Sequence, residues 1–196
     1  MESIYLKSVK KIYESEFKLF TIKTLQQLLD IRTERNFYQV LQSLQEHQIL
    51  EKLERSKYRR LGIAISDFEL ANFLYDFSYV SLESALNYWG ILSQFPFEIS
   101  SVSNKKTNKK MVDGKSFTYS KITPSLYGMF IKENNFLIAM PEKALIDQLY
   151  FASRGWRSSS FDEYDLESVN KESLLGLCQE LPISNEVYRL IEELPW

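Results

Sequence analysis

Apolar residues recur at helical spacing in the first third of the chain. The clearest case is the stripe Phe37, Val40, Leu41 and Leu44, whose i, i+3, i+4, i+7 spacing places all four on one helix face. We predict three helices here: one over residues 5–17, a second capped by Thr21, and a third capped by Thr33. Residues 30–33 form a short connector between the second and third helices.

Two strands are predicted after the third helix. They cover residues 49–53 and 58–61, and the polar residues 54–57 form the turn between them. Two short helices joined by about four residues, followed by a basic hairpin, form the arrangement of a winged helix-turn-helix. We therefore predict such a DNA-binding domain over residues 1–65. Winged helices also serve as protein-interaction modules, so that second use stays open.

The third predicted helix turns polar side chains away from its apolar stripe. Arginine suits the edge of guanine, and asparagine and glutamine suit adenine. We predict that base edges are contacted by Arg35, Asn36, Gln39, Gln42 and Ser43. Arg32 and Thr33 lie at the start of this helix, where a phosphate is favoured. The hairpin would reach the DNA backbone or minor groove through Arg55, Lys57, Arg59 and Arg60.

Charge is distributed unevenly along the chain. The 196 residues include 24 Lys and Arg and 26 Asp and Glu, which gives a formal net charge of −2. Residues 1–62 contain 12 of the basic residues and 8 of the acidic ones, whereas residues 136–196 contain 5 basic and 11 acidic residues. This asymmetry indicates that the basic segment, residues 1–62, binds a polyanion. A solvated basic face without a partner is the alternative interpretation.

The pattern changes after Gly62. Short helices are predicted over 67–74 and 79–90, the second with Ser81 or Ser84 as its N-cap. Strand-like segments follow at 97–102, 117–122, 127–132 and 136–140. The remaining helices are predicted to begin at Pro141 and to cover 166–180 and 185–193. We predict an α+β fold in which residues 66–196 form a mixed α/β domain with a small, mainly antiparallel sheet.

Composition excludes several classes of protein. The single cysteine, Cys178, cannot form an intrachain disulfide and indicates a reducing compartment. No apolar run approaches the roughly 20 residues of a membrane span. The first seven residues lack the basic-then-apolar layout of a signal peptide. We therefore expect a cytoplasmic protein with no membrane partner.

The residue types offer little catalytic chemistry. The only histidine, His47, lies in the predicted DNA-binding segment, where it is not expected to serve as the base of a hydrolase triad. One histidine and one cysteine are too few ligands for a zinc site. Asp162 and Asp165 are the best candidates for a carboxylate–magnesium site, as in a nuclease. The simpler interpretation is a solvated acidic loop before a helix, where acids are stabilising. We predict no enzymatic activity, no cofactor and no metal.

Two motifs resemble those of a known family. They are Ser78-Tyr79-Val80-Ser81-Leu82-Glu83-Ser84-Ala85-Leu86, followed by Gly90, and Met140-Pro141-Glu142-Lys143-Ala144-Leu145-Ile146-Asp147. With the predicted winged helix, they resemble the AbiEi antitoxins of type IV toxin–antitoxin (abortive-infection) systems over about residues 15–155. The resemblance implies a non-enzymatic protein whose N-terminal domain binds inverted repeats in its own promoter and represses it. Its C-terminal domain would neutralise a cognate toxin that resembles a nucleotidyltransferase, or protect the toxin's target.

One departure from this family concerns the end of the third helix. A glycine is usual there, and this chain has His47-Gln48 instead. Glycine supplies a left-handed cap that other residues adopt at some cost. The predicted wing therefore departs from the family pattern at its first residues.

A basic loop at residues 104–110 contains Lys105, Lys106, Lys109 and Lys110. It would contact DNA phosphates or an acidic surface of the toxin, or it is a solvated loop without a partner. A second function also stays open, that of a stand-alone winged-helix regulator whose C-terminal domain senses a small ligand. The residues that would then line a pocket are Phe68, Phe73, Tyr75, Phe77, Tyr79, Tyr88 and Trp89.

Overall fold

Helices and strands divide between two units of the chain, Met1–Ile65 and Ser66–Trp196, and together give an α+β fold. The computed structural model describes residues 2–158 and 161–196. Met1 and residues 159–160, which belong to the polar loop expected at 153–165, lie outside the described residues. Within the described ranges, no helix is both long enough and apolar enough to cross a membrane.

The first unit packs three helices against a small antiparallel sheet. Its elements are α1 (Glu2–Glu14), β1 (Leu19–Thr21), α2 (Ile22–Leu29), α3 (Glu34–Glu46), β2 (Leu50–Glu54) and β3 (Lys57–Arg60). The strand order is β1-β3-β2, with Leu19 opposite Arg59 in the outer pair. Strand β1 was not predicted from the sequence. The core consists of Ile12, Phe20, Leu25, Leu29, Phe37, Val40, Leu41, Leu44, Leu50 and Tyr58.

Single residues set the helix ends in this unit. The Thr21 hydroxyl accepts a hydrogen bond from the Thr24 amide at 3.1 Å, so Thr21 caps α2 as predicted. Asp30 ends α2 in the left-handed conformation, with φ of 52°. After α3, Gln48 adopts the same conformation, with φ of 56°. The turn into β2 therefore places Gln48 in a conformation that favours glycine, which lowers the stability of the fold by about 1–2 kcal/mol.

The second unit is built around a six-stranded sheet. Its elements are α4 (Asp67–Leu74), β4 (Ser78–Val80), α5 (Leu82–Tyr88), β5 (Glu98–Ser103), β6 (Asn108–Val112), β7 (Lys115–Lys121), a 3-10 turn (Pro124–Leu126), β8 (Phe130–Glu133), β9 (Phe136–Ala139), α6 (Pro141–Ala152), α7 (Lys171–Glu180) and α8 (Asn185–Glu192). The strand order is β6-β7-β5-β4-β9-β8. The β5–β7 and β4–β9 pairs are parallel and the other three pairs are antiparallel. The sheet is therefore mixed, and larger than the small, mainly antiparallel sheet predicted.

Three segments of this unit differ from their predictions. Residues 79–90 form strand β4 and then helix α5, because β4 is buried between β5 and β9 and so lacks alternation. The expected basic loop at 104–110 leads into β6, which pairs with β7 along the edge of the sheet. Helix α7 begins at Lys171 because the Asn170 side chain accepts a hydrogen bond from the Ser173 amide at 2.8 Å.

Helix α6 is the central helix of the second unit. All ten residues from Lys143 to Ala152 are buried, since α6 contacts α5, α7, α8 and β9. A helix enclosed in this way has no solvent face for its polar side chains. Its polar residues Lys143, Asp147 and Gln148 therefore need partners inside the protein.

Candidate nucleic-acid interface

Helix α3 buries one face and exposes the other. Its four apolar residues lie in the core of the first unit, and a turn of 100° per residue directs Arg35, Gln39 and Gln42 to the opposite side. These three residues and Asn36 are exposed, while Ser43 is half-buried. The residues predicted to contact bases therefore share one accessible surface, which extends about 12 Å along the helix.

One acidic residue shares this surface. Glu46 lies one turn beyond Gln42 and accepts a hydrogen bond from its Nε2 at 2.8 Å. The bond is exposed to water, so the Gln42 amide can exchange it for a base edge at little cost. The other end of the surface, around Arg35, lies away from this carboxylate.

A groove of about 370 Å³ runs between α1 and α3. Asn36, Gln39 and Ser43 line its α3 side, and the α1 side is apolar, formed by Ile4, Tyr5 and Leu6. His47 also lines it, with its ring 5.1 Å from that of Tyr5 and its Nδ1 2.7 Å from the Ser43 carbonyl oxygen. His47 therefore lies at the C-terminal end of α3, as the sequence predicted.

Positive side chains gather at the N-terminus of α3. Arg32 and Thr33 line a cavity of about 450 Å³ together with Lys7 and Lys11 of α1. Lys11 donates to the Leu29 carbonyl at 3.0 Å, whereas Lys7 and Arg32 are exposed. The Thr33 side chain makes no capping bond within the described chain, so water or a ligand must satisfy the first amides of α3. Cations and a helix N-terminus together favour an anion at this place.

Of the four hairpin residues predicted to contact DNA, one is exposed and three are half-buried. Arg55 is exposed at the turn between β2 and β3. Lys57 pairs with Glu54 at 3.1 Å, and Arg59 pairs with Glu51 at 2.6 Å. Arg60 donates to the carbonyl oxygens of Ile12, at 3.1 Å, and Ser15, at 3.4 Å, at the end of α1. The exposed basic residues of the hairpin are therefore Arg55 at the turn and Lys52 on β2.

The predicted basic loop of the second unit is also engaged within the chain. Lys105 lies 3.7 Å from the Asp76 carboxylate and 4.6 Å above the Phe77 ring. Lys109 pairs with Glu98 at 3.3 Å, and Lys110 donates to the Leu74 carbonyl at 2.6 Å. Lys105, Lys106 and Lys109 are exposed, and Lys110 is half-buried. Three of the four lysines thus have partners within their own unit, although exposed ion pairs contribute little to stability.

A buried polar cluster joins the two motif segments of the second unit. The Asp147 carboxylate accepts hydrogen bonds from the Tyr79 hydroxyl at 3.0 Å and the Ser81 hydroxyl at 2.8 Å. Lys143 forms an ion pair with Asp147, one turn away on α6, and donates to the Tyr79 oxygen at 2.9 Å. All four side chains are fully enclosed. The partners of Asp147 inside the protein are therefore Tyr79, Ser81 and Lys143.

Burial of the cluster affects the ionisation of its side chains and their access to solvent. Burial, assisted by the neighbouring Asp147 carboxylate, raises the pKa of Tyr79 well above its ordinary value. The phenol therefore stays neutral and donates to the carboxylate at physiological pH. The four side chains have no solvent exposure, and their hydrogen bonds and ion pair join α6 to the segment of β4.

The remaining candidates for a functional role are the aromatic residues of the possible ligand pocket, Cys178 and any group of metal ligands. Phe68 packs edge-on against Phe136 at 5.3 Å, and Tyr75 lies 4.7 Å from Tyr119, so these aromatic residues contact one another within the unit. Cys178 is buried, and burial raises its pKa to about 11. In the parts of the chain that the structure describes, no group of three or more His, Cys, Asp or Glu residues is arranged to hold a metal ion.

Comparison with known proteins gives a fold-level result. The fold is similar to that of the RV2827C protein from Mycobacterium tuberculosis, with a TM-score of 0.59 at 16% sequence identity. The alignment covers 97% of this chain and 75% of that chain. No family model and no curated protein matches the sequence. Similarity at this identity supports the α+β architecture and carries no information about function.

Proposed function

We propose that residues 1–65 form a winged helix-turn-helix that binds double-stranded DNA, and that the chain is a type IV antitoxin of the AbiEi kind. In this proposal it represses its own promoter at inverted repeats and neutralises a nucleotidyltransferase-like toxin. The single observation that carries the DNA-binding half is the outward surface of α3. Its exposed arginine, asparagine and glutamines are the residue types that contact base edges.

The surroundings of α3 support the same use. Four residues, 30–33, separate α2 from α3, and an antiparallel hairpin follows, in the order of a winged helix-turn-helix. Arg32 and Lys7 lie at the N-terminus of α3, where a phosphate would meet both cations and free amides. Arg55 at the tip of the hairpin would meet a second stretch of backbone.

The antitoxin half rests on the two motif segments. Both are retained nearly whole in the sequence, and they meet in the Tyr79–Ser81–Lys143–Asp147 cluster. The two motifs thus belong to one folded unit. The expected partner is a toxin encoded by the neighbouring gene.

DNA binding is tested by fluorescence anisotropy with the DNA upstream of the gene, at several salt concentrations. Each phosphate contact contributes a slope of about 0.9 log unit of affinity per log unit of salt. We expect Gln39→Ala to relax base preference at one position of the site, and Arg55→Ala to weaken all sequences alike with a slope smaller by about one. Lys132→Ala, which removes an exposed charge from the second unit, is the matched control.

Two results would contradict the DNA-binding half. One is an affinity for upstream DNA that does not change with salt. The other is an equal loss of affinity in the Arg55→Ala and Lys132→Ala proteins, because the interface would then lie elsewhere. The antitoxin half is tested by co-expression with the neighbouring gene. Failure to restore growth against that gene's toxicity would contradict it.

A further inference from the structure

Basic and aromatic side chains meet at one corner of the six-stranded sheet. Phe77, in the turn between α4 and β4, is 63% exposed, so much of its ring is open to solvent. The Nζ of Lys105 lies 4.6 Å from the centre of that ring. Lys106 follows in the loop between β5 and β6 and is exposed. An accessible ring and ammonium groups therefore share this part of the surface.

Strand β7 brings another lysine to the same corner. Lys121 lies opposite Ser103 in the parallel β5–β7 pair, so the two side chains leave the same face of the sheet. The Ser103 hydroxyl donates to the Phe77 carbonyl at 2.8 Å, which places the Phe77 segment at that face too. Lys121 is exposed. We call the surface formed by Phe77, Lys105, Lys106 and Lys121 the basic-aromatic corner.

Hydrogen bonds hold the segments of the basic-aromatic corner together. The Tyr75 hydroxyl donates to the Lys106 carbonyl at 2.7 Å, and the Thr107 hydroxyl accepts from the Lys121 amide at 3.2 Å. Phe77 is held in the left-handed conformation, with φ of 57°, which bulky residues rarely adopt. Strain of this kind persists where the surroundings fix a segment, often at binding sites. The corner is thus preorganised, which lowers the entropy cost of binding a ligand.

Asp76 is the acidic neighbour of Lys105 at this corner. Its carboxylate lies 3.7 Å from the Lys105 Nζ, and both side chains are exposed. An exposed pair contributes little to stability, so Lys105 can exchange the carboxylate for a ligand at little cost. Because the three lysines outnumber the aspartate, the basic-aromatic corner favours a polyanion.

We propose that the basic-aromatic corner binds single-stranded nucleic acid, a function beyond the recognition of duplex DNA by the first unit. Lysine ammonium groups neutralise backbone phosphates, and an exposed aromatic ring stacks on a base. Stacking requires a base whose face is uncovered, which a single strand offers and an intact duplex does not. The ring of Phe77 therefore distinguishes this ligand from a duplex, which the lysines alone would not do.

The test is fluorescence anisotropy of the full chain with labelled oligo(U), oligo(dT) and a mixed-sequence duplex, each about 12 nucleotides or base pairs long. We expect Phe77→Asn to weaken single-strand binding by about tenfold, since asparagine tolerates the left-handed conformation but cannot stack as a ring does. Lys106→Ala and Lys121→Ala should each lower the salt slope by about 0.7, the value for one single-strand phosphate. Phe97→Asn and Lys132→Ala, at exposed positions elsewhere in the second unit, are the matched controls and should change neither quantity. Tryptophan fluorescence in urea verifies that each variant remains folded.

Three results would overturn this inference. The first is the absence of single-strand binding at low salt, and the second is an equal loss of affinity in the Phe77→Asn and Phe97→Asn proteins. The third is a loss of duplex affinity in Lys106→Ala with no effect of Phe77→Asn, because the corner would then contact a duplex backbone. Comparison of oligo(U) with oligo(dT) identifies the sugar of the ligand, and binding of either one through Phe77 supports the inference.

The inference and the proposed function can fail separately. An unchanged affinity of Arg55→Ala for upstream duplex DNA would contradict the proposed interface of the first unit and leave the basic-aromatic corner untouched. Loss of oligonucleotide binding in Phe77→Asn, with binding of upstream DNA intact, would show that the two sites are distinct.

Discussion

The ion pair between Lys143 and Asp147 is fully buried, so we expect removal of one partner to lower the stability of the second unit more than removal of both. In the Asp147→Asn protein, the lysine ammonium would remain enclosed beside the Tyr79 hydroxyl without its counter-charge. In the Lys143→Met protein, the carboxylate would keep the hydroxyls of Tyr79 and Ser81 but lose its cation. Breaking a buried pair from one side costs about 3–5 kcal/mol, because an uncompensated charge is left behind.

The double variant Lys143→Met/Asp147→Asn contains no buried charge, and its amide oxygen still accepts from the two hydroxyls. We expect it to lose about 1–2 kcal/mol, which is less than either single variant.

Urea unfolding followed by tryptophan fluorescence measures these effects in the second unit alone. Trp89, Trp156 and Trp196 all lie there, and residues 1–65 contain no tryptophan. Additive losses in the double variant would refute the reasoning, since the two charges would then not compensate each other. Single variants with unchanged urea midpoints would refute it as well, because the ion pair would have to be accessible to water.

Three further predictions concern separate parts of the chain. Arg60→Ala removes the donor to the end of α1 and should lower the stability of the first unit by about 1.5–3 kcal/mol, whereas Arg55→Ala at the exposed turn should leave the thermal midpoint by circular dichroism unchanged. Gln48→Gly relieves the left-handed backbone after α3 and should raise stability by about 0.5–1 kcal/mol in the same assay; a loss would contradict the strain argument. Burial raises the pKa of Cys178 to about 11, so mass spectrometry should find it unmodified by iodoacetamide at pH 8 in the native protein and modified in urea. The Cys178 thiol ionises at a lower pH in the unfolded chain than in the folded one. The contribution of the buried, neutral thiol to the free energy of unfolding is therefore lost as the pH rises from about 9 to 11.

Local signals explain which elements were predictable. The Thr21 cap and the apolar stripe of α3 are contained in a few adjacent residues, and both structures formed as predicted. Strand β1 has only three residues, and its partner Arg59 is 40 positions beyond Leu19. Strand β4 is buried throughout, which removes the alternation that identifies a strand. Pairing between distant segments leaves no such local signature.

The same distinction between local signals and contacts of distant segments applies to the candidate interface. Periodicity predicted which side chains of α3 face outwards, because burial of one stripe fixes the opposite face. Composition could not distinguish Arg55 from Arg60, since both are arginines of one basic hairpin. Their difference comes from α1, whose terminal carbonyls accept from Arg60 across 45 or more positions of sequence. Similarly, the i, i+4 spacing of Lys143 and Asp147 is typical of an exposed pair, and burial of α6 on all sides makes it internal.

The position of the two motifs bears on how the proposed functions must be tested. Tyr79 and Ser81 of the first motif contact Asp147 of the second inside the protein, so these motif residues maintain the fold of the second unit. A substitution there would abolish the proposed antitoxin activity by unfolding the unit, whatever surface takes part in that activity. The proposed DNA contacts come from exposed residues outside this cluster, such as Arg35 and Gln39 on α3. Substitutions at those exposed positions, with the buried cluster intact, therefore separate recognition of a partner from stability of the fold.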